Sequence, residues 1–342
     1  MLYNLLFLLY DTEKGGGGMT KNRVLSLLKR TDGFLSGEQI SAEIGVSRMA
    51  VSTAVKALRA EGYEITAVTN RGYRLERSPD RLTGGELMAL LGEKRAQTLI
   101  CLDTVDSTNR YLKALANDGA PSGTVVIAEG QTKGRGRRGR SFASPDRKGI
   151  YLSYLLRIEG APAESTMLTA WAAVAAASAI STVCGVEPEI KWVNDLLLGG
   201  RKFCGILTEL SVESESNLID YVVVGIGVNV NEDAEDFPPE LRDIAVSLAQ
   251  VLGKEQPRAA LCAELIRRLD RLSCDWPSER EHYLEAYRRY DRTVGKEILV
   301  ISPGMERHAH ALAIESDFSL RVRFDDGEEA KLQSGEISIR EK

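Results

Sequence analysis

At 342 residues, 43% hydrophobic and 27% charged, the chain has room for two or three domains and lies outside the fibrous, disordered and membrane-dominated classes. Its formal net charge of -5 is uneven: residues 19–78 hold ten Lys/Arg against six Asp/Glu, and residues 79–342 hold 33 against 41. A basic head on an acidic body points to a polyanion partner for the head alone.

Leu2 to Tyr10 is apolar, but it lacks the basic start and small-residue cleavage site of a signal peptide and is too short to span a bilayer. Lys14 followed by Gly15 to Gly18 requires a purine-rich coding run, resembling a bacterial ribosome-binding site, just ahead of Met19. Residues 1–18 are therefore read as a non-native or disordered leader, with Met19 as the native start.

Residues 22–77 predict three short helices and two strands. Val24, Leu25, Leu27 and Leu28 give helical spacing over Asn22 to Lys29. Ser36 with Gln39 is a capping-box signature that opens a second helix, broken by Gly45. Ser47 opens a third, through Ala60, with Val51, Val55 and Leu58 inward and Arg48, Ser52, Thr53, Lys56 and Arg59 outward. Two strand-like runs then meet at Asn70-Arg71-Gly72, a tight turn that exposes an arginine. The pattern is a winged helix-turn-helix over 19–80, with Arg48 and Lys56 for phosphates, Ser52 or Thr53 for base edges and Arg71 on the wing. A small helical domain that binds protein is the alternative. Arg77 to Arg81 reads as a linker.

From Thr98 strands and helices alternate: extended at Leu99 to Leu102, Thr124 to Ala128, Ile150 to Leu156, Cys204 to Leu207 and Tyr221 to Ile226, helical at Thr108 to Ala116, Glu240 to Leu252 and Arg258 to Leu272. This is an α+β or α/β enzyme core without a Rossmann or P-loop fingerprint. Ser165 to Val186 carries no charge over 22 residues, yet its alanine-rich centre suits a buried helix better than a membrane span. Five scattered cysteines, Cys101, Cys184, Cys204, Cys262 and Cys274, never spaced C-x-x-C, argue against a disulfide frame or zinc ribbon and fit a reducing cytoplasm.

Gln131 to Arg140 is the most informative stretch, because its three glycines let backbone approach a ligand while four arginines suit carboxylate or phosphate oxygens. An Arg-Gly tract that binds RNA is the competing reading of this loop alone. Asp106-Ser107-Thr108-Asn109 sits at a strand-to-helix junction, where hydroxyls cap the helix or bind a small polar ligand. Lys191 to Asp195 and Arg201 to Leu207 put lysines, an amide and a carboxylate at the ends of apolar runs.

Together with Gly225-Ile226-Gly227-Val228-Asn229, these motifs resemble the biotin-protein ligase family, in order from about Asn22 to Arg340. The head, with Ser36-Gly37-Glu38-Gln39, Gly45, Ser47-Arg48 and Gly72-Tyr73, resembles the bifunctional members that also repress a biotin operon. Ser334 to Arg340 resembles the end of their C-terminal barrel. The resemblance implies an α+β protein: the winged head, a central mixed α/β ligase domain of class II synthetase-like type over 81–292, and a small SH3-like β-barrel over 293–342. It implies biotin and ATP as substrates, Mg2+ with the nucleotide, and a biotinyl-5'-AMP intermediate that also serves as corepressor. A biotin-carrier domain of acetyl-CoA carboxylase or a similar carboxylase would be the acceptor, operator DNA the second partner, and a homodimer, driven by the adenylate or constitutive, the assembly.

Carried over by motif, Ser107, Thr108, Asn109, Gln131, Arg135, Gly136, Arg137, Lys202, Gly205 and Gly227 line the biotin site. Arg135, Arg137, Lys202 and Asp195 are the catalytic candidates. Arg138, Arg140, Phe142, Lys191, Asn194 and Asn229 face the nucleotide, and no residue is assigned to metal. Three positions depart from the common pattern: Val193 for a usual proline, Phe142 for a frequent tryptophan, and Lys133 for a small residue. A ligand sensor without turnover and a lipoate or octanoate transferase are the alternative functions.

Overall fold

The computed structural model describes residues 17–158, 161–213, 218–302 and 305–339; the leader through residue 16 and Arg340 lie outside them. The chain divides into two units: residues up to 102 with 257–263, and residues 103–256 with 264–342.

In the first unit, local signals set the helices. α1 (Gly17–Arg30) begins upstream of its predicted start, and α2 (Gly37–Ile44) opens on the expected capping box. Ser36 Oγ accepts from Gln39 N, and Gln39 Oε1 accepts from Ser36 N. Gly45 ends α2 in the left-handed region at φ 70°, and Ser47 caps α3 (Arg48–Ala60). Val24, Leu25, Leu28, Ile40, Val51, Val55 and Leu58 are buried against one another. β1 (Glu64–Val68) and β2 (Gly72–Arg77) form the antiparallel wing, and Leu35 exchanges backbone hydrogen bonds with Tyr73 at its root. Gly72 has φ +101°, and a Cβ there would overlap the Leu35 carbonyl. α4 (Gly84–Leu91) and α5 (Glu93–Ala96) complete the unit. Lys29 pairs with the buried Glu86 at 2.6 Å. Asp80, in the stretch read as a linker, is held at 2.6 Å by Arg258, whose side chain is fully buried.

A seven-stranded sheet organises the second unit, in the order β3 (Leu99–Val105), β4 (Val125–Gln131), β5 (Ile150–Leu156), β9 (Ile219–Val228), β8 (Arg201–Val212), β7 (Asp195–Leu198) and β6 (Glu189–Lys191). β3 crosses the boundary between the units. The sheet's neighbours include α6 (Thr108–Asn117) and α7 (Ser165–Cys184). α7 is apolar and long enough to cross a membrane, but it is mostly buried, with Trp171 stacked on Tyr283 of α10 (Arg280–Tyr290) at 3.9 Å. It is a core helix, as its composition suggests. The register sets Ser153 opposite Gly225 and Gly205 opposite Gly227, which lines up glycines beneath one region of the sheet. β10 (Glu297–Ser302) to β14 (Glu336–Ile339) form a separate five-stranded antiparallel sheet.

One expected element is corrected. Glu240 to Leu252 is not a continuous helix: a 3₁₀ turn at Pro239–Leu241 precedes a backbone bridge, and α8 spans only Leu248–Leu252. Lys202 N donates to Ile244 O at 2.8 Å and Val246 N donates to Lys202 O at 2.9 Å, so the start of β8 takes the segment's hydrogen bonds. Ser247 then restarts a helix with its own capping box. α9 (Arg258–Asp275) contains the whole predicted helix from Arg258 to Leu272.

Candidate active site

The glycine loop is folded back on itself. Phe142 N donates to Gly134 O at 2.9 Å, Gly136 N donates to Arg140 O at 2.8 Å, and Arg135 bridges to Ser141. Gly134 is required because a Cβ would overlap the Phe142 carbonyl oxygen. Arg138 takes a left-handed φ of 54° at the tip.

Beside this loop lies a small cleft of about 50 Å³, partly open to solvent. All ten residues assigned to biotin line it: Ser107, Thr108 and Asn109 from the β3–α6 junction, Gln131 from β4, Arg135, Gly136 and Arg137 from the loop, and Lys202, Gly205 and Gly227 from β8 and β9. Among the described residues, its lining contains no carboxylate.

Hydroxyls and amides form one group in this cleft. Gln131 Oε1 accepts from Thr108 N at 2.9 Å and from Thr108 Oγ1 at 3.2 Å. Ser107 stands at the N-cap of α6 but makes no side-chain capping bond, so simple capping does not account for it. The Asn109 amide is engaged by protein at both ends: its oxygen accepts from Ser153 Oγ at 2.5 Å, and its nitrogen donates to Glu209 Oε2 at 2.8 Å. Gly225 makes this possible, since a Cβ would overlap Asn109 Oδ1.

Cations form the other group. Arg137 Nη1 donates to Asn194 Oδ1 at 2.8 Å, and Asn194 Nδ2 donates to Ile206 O at 3.0 Å. Burial pulls Arg137 below the ordinary guanidinium range, with Asp195 opposing it, and an arginine remains charged throughout. Lys202 Nζ meets Asp195 Oδ1 at 2.6 Å. Asp195 is therefore adjacent to the lining through its partner.

The residues assigned to nucleotide are more dispersed. Phe142 and Asn194 line the cleft. Phe142 lies over the glycine floor: a Cβ on Gly227 would come within 2.6 Å of its ring, and one on Gly205 within 3.5 Å. Arg140 pairs at 2.6 Å with Glu336 of β14, and Arg138 lies 3.9 Å from the same carboxylate. Lys191 is shifted below the usual lysine range, chiefly by burial. Asn229 is buried outside the lining, donating from Nδ2 to Val246 O at 3.2 Å and from its backbone to Phe203 O at 2.7 Å. These bonds tie Asn229 to β8 and to the segment just before α8. The peptide at the unusual Val193, Trp192–Val193, is cis.

Sequence reasoning missed Tyr151 on the lining, and Ser153 and Glu209 beneath it. Tyr151 and Ser153 did leave a trace: alternation along a strand puts both on one face of β5, and they are the hydroxyl-bearing positions at its start.

In the head, Arg48, Thr53 and Lys56 are exposed on α3 and Ser52 is half-buried. Arg59 is exposed, as expected, and its Nε donates to Ile65 O at 2.9 Å. Met49 is 77% exposed. Arg71 and Arg74 lie 4.5 and 4.9 Å from the centre of the Phe34 ring, a cation–π contact on each.

Residues 101–229 match the model of the biotin/lipoate A/B protein ligase family, and residues 20–74 match an HTH domain. A bifunctional ligase/repressor BirA of Bacillus spizizenii is 42% identical over 234 residues, 68% of this chain and 71% of that protein. Its namesake in Salmonella typhimurium is 30% identical over 319 residues, 93% of this chain and 96% of that protein. Among solved structures, a biotin protein ligase from Aquifex aeolicus in complex with biotin and ATP covers 71% of this chain and 99% of its own. Its TM-score is 0.59, with 27% identity.

Proposed function

The chain belongs to the biotin/lipoate A/B protein ligase family as a biotin ligase with a helix-turn-helix repressor domain, and from that premise we propose how its own residues divide the work. The observation that carries the assignment is the cleft lining, which among the described residues sets neutral hydroxyls and amides beside three cations, over a glycine floor, with no carboxylate.

Ligation brings two anions together. The biotin carboxylate attacks the α-phosphorus of ATP, the α–β phosphoanhydride bond breaks, and pyrophosphate leaves. Arg135, Arg137 and Lys202 offset the repulsion and stabilise charge on the reacting oxygens, which fixed donors in a partly buried site do more strongly than water. Ser107, Thr108 and Gln131 suit the ureido head, whose carbonyl accepts and whose N–H groups donate. Asn109, held at both ends, shapes the floor instead. Mg2+ bound with the nucleotide would neutralise charge on its phosphates, and no carboxylate among the described lining residues would hold it.

In the second step the amine of an acceptor lysine attacks the acyl carbon, AMP leaves and the nitrogen loses a proton. Asp195 orients that amine and receives the proton, exchanging its bond to Lys202 as the adenylate's phosphate takes the lysine. The acceptor is a biotin-carrier domain of a carboxylase such as acetyl-CoA carboxylase. Arg138 and Arg140 hold nucleotide phosphate in competition with Glu336.

The head binds operator DNA through Arg48, Thr53 and Lys56 on α3 and Arg71 on the wing, with Ser52 alongside. Two chains pair so that two heads meet a palindromic site, with the adenylate as corepressor. Sedimentation with and without biotin and ATP tests the pairing; an unchanged mass in both conditions would remove the adenylate from it.

One assay tests the ligase assignments: labelled biotin, ATP and a carrier domain, with pyrophosphate release measured alongside transfer. The wild-type chain should label the carrier and Arg137→Ala should not. An Arg137→Ala chain with unchanged pyrophosphate release and biotin affinity would refute the role given to this arginine.

A further inference from the structure

Among the buried titratable groups that the catalytic scheme does not use, Glu232 reaches the cleft through one neighbour. Glu232, only 1% exposed, stands outside the cleft lining against the hydroxyl of Tyr151, which does line the cleft. That phenol has one hydrogen, and among the described residues the Pro145 carbonyl at 3.0 Å and Glu232 Oε1 at 3.3 Å both lie within its reach. Gly149 leaves the space for this arrangement, since a Cβ would come within 2.6 Å of the Tyr151 oxygen and 2.7 Å of Glu232 Oε1.

What Pro145 anchors gives the pair its importance. The Phe142–Pro145 segment carries the ring that lies over Gly227. Its Ser144 Oγ accepts from Gln131 Nε2 at 2.9 Å, and its Phe142 N donates to Gly134 O, which joins Gln131 and the glycine loop to the segment. A change at Pro145 therefore reaches two parts of the biotin site.

The surroundings of Glu232 favour its neutral form. Burial pushes its carboxyl up to about 7, and Asp236 adds to the effect, while the backbone N–H groups of Glu232 and Val230 and the Tyr151 hydroxyl oppose it. Lys148, the nearby cation, is engaged by Asp233 at 2.9 Å and Asp236 at 3.4 Å. Glu232 Oε2 is buried and has no hydrogen-bond partner among the described residues.

We propose that Glu232 is a positioning residue for the biotin site: neutral, it leaves the Tyr151 hydrogen to Pro145, and ionised, it draws that hydrogen to itself and releases the Phe142–Pro145 segment. A charged acceptor wins because its hydrogen bonds are roughly twice as strong as those of a neutral one. No bond is broken and no proton leaves Tyr151; only the acceptor changes. The proposal rests on the assignment of the cleft to biotin.

Biotin affinity of the full chain, titrated from pH 5.5 to 8.5 with melting temperature followed in parallel, tests it. The wild type should weaken as the pH rises through about 7, by roughly three- to tenfold, the worth of one hydrogen bond. Glu232→Gln should stay near the low-pH affinity throughout, and Tyr151→Phe should be weak and flat. A wild-type profile without that fall, or a Glu232→Gln chain that keeps it, would overturn the proposal, as would variants that alter melting temperature alone. A wild type that binds no biotin at any pH would take down the assignment of the cleft as well.

Discussion

The winged head and the ligand cleft are built by opposite strategies. In the head, nearly every structural decision is local: Ser36 and Gln39 close a cap across three residues, Gly45 ends one helix and Ser47 starts the next. In the cleft, partners are distant in sequence: Asn109 meets Glu209, Arg137 meets Asn194, and Arg140 meets Glu336. A head specified locally tolerates change on its outward face, whereas a cleft assembled from many strands transmits a change at one position to several others.

The strongest test of that contrast is Arg137→Ala or Lys202→Ala. Each should lower adenylate formation by roughly 10²- to 10³-fold, the usual loss on removing one fixed donor, while operator binding by the ligand-free chain stays unchanged. Pyrophosphate release and DNA gel shifts on the same preparation check both halves; a matching loss of DNA binding would erase the contrast.

Next in size is the effect of pH on stability. Glu232 titrates near 7 in the folded chain against an ordinary 4.5, so the native state keeps a proton that the unfolded chain gives up. Stability should fall as the pH rises from about 4.5 to 7 and level off above, by about 3 kcal/mol at roughly 1.4 kcal/mol per pH unit. Glu232→Gln should lack that descending limb in urea unfolding across the range.

A smaller loss is expected of Gly225→Ala, whose new methyl would overlap the Asn109 amide. Overpacking of this kind costs about 1–3 kcal/mol, read as melting temperature, and biotin affinity should fall with it because Asn109 shapes the floor. Unaltered affinity would detach Asn109 from the site.

The smallest effect belongs to the head. Lys56→Ala should leave the fold and ligation untouched and reduce the slope of log K against log salt for DNA binding by about one. No change in slope would place Lys56 away from phosphate.

The same contrast explains what could be read from sequence. Caps, glycine breaks and the wing turn are written in neighbouring residues, so the head was legible almost element by element. The outward position of Arg59 was legible but its partner was not, because the Ile65 carbonyl belongs to a strand whose placement only the fold decides. In the cleft, the cations and glycines were legible as chemistry, but Tyr151, Ser153 and Glu209 acquire their roles only through register. Ser153 is an ordinary serine in an apolar strand until Gly225 is placed opposite it. Glu240 to Leu252 misled because its helical spacing is genuine, yet the start of β8 offers its backbone hydrogen bonds that a continuous helix would have refused.

The wing also bears on how such a protein diverges. Gly72 is pinned against the Leu35 carbonyl, while Arg71 beside it is exposed and rests on Phe34. An unchangeable root next to a replaceable tip lets mutation sample new tip residues without first losing the domain. If Arg71 contacts DNA as proposed, the sequence it prefers can change while the frame that presents it stays the same.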